Sequence, residues 1–167
     1  MDMKKNILIG STLGIASLLL CSCFCLTDDG NKLKADDLTY YYYKIHNGYS
    51  GFSREYEIVY KDSVVTATVR DCNMLLDSCD VHSVSNVPRE KLIEIGEMLV
   101  KAKVQNWESS YSEPNVFDGD SWSFDVKFGK KMYWSSGYMA WPKDDPTHKI
   151  NKIIYDLCKP QAEDSKQ

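Results

Sequence analysis

Cys72, Cys79 and His82 form the first group of side chains whose types could do chemistry. Thiolates and an imidazole suit zinc. However, six residues separate the cysteines, structural sites usually space them by about two to four, and no fourth ligand follows. Asp118, Gly119 and Asp120 begin like a calcium loop. Trp122 and Ser123 then stand where an acidic ligand and a glycine are required, so a turn is expected instead. His46, His82 and His148 are isolated, and no G-x-S-x-G nucleophile elbow accompanies them. Asp71, Asp77 and Asp80 could meet as an acid–base pair, but turn chemistry accounts for them. No catalytic residue, metal or cofactor is assigned.

Aromatic residues are the remaining group. The chain has 11 Tyr and 4 Trp, and four of the tyrosines, Tyr40, Tyr41, Tyr42 and Tyr43, are consecutive. In a strand, Tyr41, Tyr43 and Ile45 face one side and Tyr40 and Tyr42 the other. One pair is expected in the core. The other becomes the candidate contact for a protein or glycan, because tyrosine offers a large amphipathic surface at small entropic cost. Good strand formers under a covering helix are the structural alternative.

These residues need elements to position them. Tyr40–Ile45, the alternating Tyr56, Ile58 and Tyr60, and the alternating Val65, Ala67 and Val69 predict an antiparallel meander. Residues 72–84 predict an irregular fourth strand. Pro88 marks a helix start, and Leu92, Ile95, Leu99 and Ala102 recur at helical spacing. A Ser-rich loop follows. Trp122, Phe124, Val126 and Phe128 then alternate as a strand, which Gly129 and Lys130 turn into a partner over roughly 132–138. Asp145 and Pro146 predict the start of a last helix carrying Ile150, Ile153, Ile154 and Leu157, ended by Pro160. This order predicts an α+β fold, an antiparallel sheet with two helices packed on one face.

The first 26 residues bear on location. Lys4 and Lys5 precede the uncharged run Ile7–Leu20, the pattern of a secretory signal. Leu20, Cys21, Ser22 and Cys23 resemble the bacterial lipobox, with an apolar residue three before the cysteine and a small one directly before it. The resemblance implies cleavage before Cys23, diacylglycerol on its thiol and acylation such as palmitate on the new amino group. A lipid anchor of this kind would hold the protein to a membrane of the cell envelope. The alternative is an uncleaved anchor, since Ile7–Leu26 is long enough to span.

The expected organisation is a signal peptide over 1–22, a lipidated tether over 23–37, one domain over 38–160 and a disordered tail over 161–167. Cleavage removes Lys4, Lys5 and Asp2, so the 20 basic and 24 acidic side chains become 18 and 23, a net −5. That balance argues against nucleic acid, whose binders present basic stripes. In an oxidising envelope compartment Cys72 and Cys79 are expected to pair and clip a hairpin or loop. Cys158 stays a possible partner, because sequence alone does not fix the connectivity.

Trp107, Asp118-Gly119, Trp122, Ser136-Gly137 and Pro142 resemble a pattern shared by small bacterial envelope lipoproteins of an uncharacterised family. The resemblance carries no activity, and packing and turns explain each element. The expected function is a non-enzymatic binding or interaction module, tethered to the membrane by lipid. The alternative is an envelope hydrolase or inhibitor with a site assembled from scattered residues.

Overall fold

The computed structural model describes residues 32–159. The expected signal or anchor, the lipid site Cys23 and the tail over 161–167 lie outside the described residues. Among the described residues, no helix is long and apolar enough to cross a membrane.

The strands are β1 (Leu38–Asn47), β2 (Phe52–Lys61), β3 (Val64–Asn73), β4 (Ser78–Ser85), β5 (Ser110–Ser112), β6 (Asp120–Phe128) and β7 (Lys131–Tyr138). The helices are α1 (Arg89–Lys101) and α2 (Thr147–Cys158). Among the described residues, these seven strands form one sheet in the order β4-β3-β2-β1-β6-β7-β5. Every pairing is antiparallel except β5 with β7. The fold is α+β.

Local chemistry explains the meander. Asp62 and Ser63 both have positive φ, which matches a two-residue connection to the twist of β2 and β3. Gly51 and Gly129 supply the same left-handed backbone in the turns after β1 and β6. The irregular strand expected over 72–84 is instead the regular β4, in unbroken register with β3 from Thr66↔Ser85 to Asn73↔Ser78. The Ser-rich stretch expected as loop contains β5, too short to leave an alternating signature.

In β1 the side-chain alternation is interrupted once. Leu38 and Tyr41 are both fully buried although three residues apart, because the β1–β6 register shifts between Leu38 and Tyr40. Tyr41 and Tyr43 then lie level with Ile58 and Tyr56 of β2 and with Val126 and Phe124 of β6. Leu92, Ile95 and Leu99 of α1 and Ile150 and Ile154 of α2 join these strand residues in one core. That core runs from Leu33 to Cys158 within one compact unit, so the segment from residue 32 onward carries a complete interior. Leu33 is buried and the 3-10 turn Ala35–Asp37 packs on α1. The packed body thus begins at Leu33, inside the stretch expected as tether. Gly96 permits this approach, since a Cβ there would sit 2.4 Å from the Ala35 carbonyl oxygen.

Candidate functional site

The four consecutive tyrosines divide by side. Tyr41 is 0% exposed and donates its hydroxyl to Asn151 Oδ1 at 2.7 Å, and burial pushes its pKa well up. Tyr43 is 4% exposed and stacks on Trp122, with ring centroids 6.2 Å apart. Tyr40 and Tyr42 are half-buried on the opposite side of the sheet. There the Tyr40 hydroxyl neighbours the Glu57 carboxylate and the Tyr42 hydroxyl neighbours that of Glu55. Partial burial and the neighbouring Glu55 raise the Tyr42 pKa to about 12. Lys44 pairs with Glu55 at 3.0 Å and Arg70 with Glu57 at 3.2 Å. Along the same register row, Tyr42 is followed by Asp125 and Trp134, the last of these 61% exposed.

Cys72 and Cys79 are directly opposed in β3 and β4 and joined by a disulfide, with Cα atoms 4.1 Å apart. Cys158 is a free, buried thiol whose pKa burial raises. Among the described residues, no group of three or more His, Cys, Asp or Glu is placed to hold a metal ion.

The Trp107–Pro142 pattern folds into one packed corner. Trp107 lies against Phe124 at 4.8 Å and Tyr111 against Trp122 at 6.0 Å. Trp122 Nε1 donates to the Ala140 carbonyl at 2.8 Å. Gly137 sits under that indole, where a Cβ would lie 2.3 Å from Nε1. Ser135 ties the corner down by donating to the Glu108 carbonyl at 2.7 Å. Packing accounts for these residues.

The concave candidate site lies where the first turns of α2 meet β1 and β2. It is a cleft of about 400 Å³, within the roughly 300–1,000 Å³ of small-molecule sites. Tyr43, Tyr56, Trp141 and Tyr155 supply aromatic walls, and Arg54, Asp145, Thr147, His148, Asn151 and Lys152 supply polar ones. Asp145, one residue before the N-cap Pro146, holds the start of α2 by accepting from Thr147 N at 2.8 Å and from Thr147 Oγ1 at 2.9 Å. Burial raises its pKa, against the lowering effect of these bonds and of His148. Arg54 forks onto Asp71 through Nε and through Nη2 at 2.9 Å, and its guanidinium lies 5.4 Å from the Tyr155 ring centre. The Asp71 bonds raise the Arg54 pKa. Lys152 pairs with Asp156 one turn on.

Sequence reasoning reached Tyr43 and placed Asp145 at the start of α2, one residue outside the observed N-cap Pro146, but did not reach the cleft. Arg54, Tyr56, Asn151 and Tyr155 come from two strands and a helix, and only the β2 register and the phase of α2 bring them together. Asn151 carried a signal, since it interrupts the apolar face of α2 between Ile150 and Ile154. No protein-family model matches this chain, and no curated protein matches it.

Proposed function

We propose that this protein is a lipid-anchored, non-enzymatic binding module of the cell envelope, and that the cleft beside the start of α2 takes a neutral polyhydroxylated ring such as a sugar. The observation that carries this reading is a cleft lined by four aromatic rings whose Arg54 and Lys152 are already paired with carboxylates. Arg54 is held by Asp71, Lys152 by Asp156, and Asp145 by the Thr147 donors. Such a site gains little from a charged ligand but offers ring faces for stacking and Asn, Thr and Asp groups for hydroxyls. The commitment of Asp145 to the Thr147 donors favours binding over a hydrolase or inhibitor built from scattered residues.

In this reading both helices cover the Tyr41 side of the sheet, which the single shared core supports. The opposite side is then open, and its row Tyr42–Asp125–Trp134 favours a protein partner as the second reading. The anchor is diacylglycerol on Cys23, supported by the Leu20–Cys23 pattern. Intact mass of the membrane-extracted chain tests it, and an unmodified Cys23 overturns it.

Chitotriose tests the cleft, read by tryptophan fluorescence and calorimetry on residues 32–167. Trp141→Ala and Tyr155→Ala should each weaken binding by about tenfold or more, while Tyr42→Ala and Trp134→Ala leave it within about twofold. The reverse pattern moves the site to the open side. No binding overturns the sugar assignment.

A further inference from the structure

β4 is one edge of the sheet, its outer backbone unpaired by any other strand of the described residues. Its eight residues contain no Pro or Lys, and its pairing with β3 has no bulge. The other edge, β5, is only three residues long. All of β4 except Val84 is exposed, and Val81 is 55% exposed.

The direction of the free backbone groups follows from the disulfide pair. A Cα–Cα distance of 4.1 Å between Cys72 and Cys79 is the short spacing of a non-hydrogen-bonded antiparallel pair. Cys79, and with it Val81 and Ser83, therefore turns its N–H and C=O away from β3 toward the open edge. A complete set of donors and acceptors waits there for another strand.

We propose that β4 pairs with β4 of a second copy of this chain, antiparallel about a two-fold axis at Val81, making one continuous sheet across the dimer. Pairing with Val81 on the axis sets Val81 against itself and covers its exposed side chain. It joins Cys79 to Ser83 of the second copy through the outward backbone groups. It also places Asp80 directly opposite His82 of the second copy, twice by symmetry. A neighbouring symmetric register sets Asp80 against Asp80, whereas the Val81 register gives each Asp80 carboxylate an imidazole N–H donor, so electrostatic complementarity selects it. Within one chain Asp80 faces Asp71, which Arg54 already holds, and Asp80 makes no ion pair among the described residues. His82 lies near Val69, Asp71, Tyr155, Cys158 and Lys159 at the rim of α2, and its outer side is open. This interface is separate from the cleft, so either proposal can fail without the other.

Sedimentation of residues 32–167 across micromolar to millimolar concentration tests it, with thermal melts confirming folding. The wild type should dimerise. Val81→Pro deletes one outward N–H without touching a bond to β3, and should give a monomer. Asp80→Lys should weaken the dimer by about tenfold or more, and adding His82→Glu should restore it to within about threefold. A wild type that stays monomeric overturns the proposal, as does a dimer indifferent to Val81→Pro. If Val81→Pro lowers the melt, the charge pair decides, and a double variant no tighter than Asp80→Lys alone overturns the proposal.

Discussion

Tyr41 and Tyr42 are neighbours in the central strand, yet their surroundings have little in common. Tyr41 lies against Phe124 and opposite Ile58, in one buried core with Ile150 and Ile154, and its hydroxyl donates to Asn151. Tyr42 lies in a half-exposed lattice of Glu55, Glu57, Arg70 and Lys44. On the first side, stability comes from apolar burial, and one polar group must be satisfied because water does not reach it. On the second, each ion pair is screened and contributes little alone, so residues there can vary to suit a surface.

The sharpest way to break this comparison is to truncate both tyrosines. Tyr41→Ala should cost about 3–5 kcal/mol, by loss of a large buried ring and of the Asn151 bond. Tyr42→Ala should cost about 1 kcal/mol or less, as surface substitutions do. Urea denaturation of the two variants checks this, and equal losses would mean that the two sides share the core.

The disulfide is the exception on the half-exposed side, because it acts on the unfolded chain. Replacing Cys72 and Cys79 together by Ser should cost about 2–3 kcal/mol in the chain-entropy account of so short a loop. The fluorescence of the Trp122 corner should stay unchanged. A loss confined to the reducing agent's effect on the wild type, absent in the double variant, assigns it to this bond.

The smallest effect belongs to Asp145, at the rim of the core side. Its folded pKa is raised by burial, so the folded state holds the proton more tightly than the unfolded chain does. Its contribution is therefore most favourable at acid pH and is lost as pH rises through the folded value. Asp145→Asn keeps an acceptor for the Thr147 N–H while removing the charge. Because the carboxyl is only partly buried, the gain at neutral pH should be at most about 1 kcal/mol, and it should vanish on acidification through the carboxylate range. Melts at pH 7 and pH 3.5 check it, and a variant less stable at pH 7 would assign the charge a stabilising role toward the α2 dipole.

Much of the architecture was legible in local patterns. The periods of β1, β2, β3 and β6, the heptad-like stripe of α2, the turn at Asp62-Ser63 and the Cys72–Cys79 pairing all rest on neighbours close in sequence. Their physics is local, governed by side-chain direction, turn dihedrals and short-loop closure. β5 was not legible, because three residues cannot display a period and their pairing with β7 is set from across the chain.

Sequence by itself determined that the four tyrosines would divide two and two between the faces of a strand, since alternation leaves no other arrangement. Only the tertiary structure decided that the buried pair is Tyr41 and Tyr43. The register shift between Leu38 and Tyr40 sets the phase of the strand, which places Tyr41 and Tyr43 in one core with Ile58, Val69, Phe124 and Val126. The cleft follows from the same choice. Its walls come from β1, β2, the segment before α2 and α2 itself, segments far apart in the chain that meet because burying one continuous apolar surface outweighs the entropy of bringing them together.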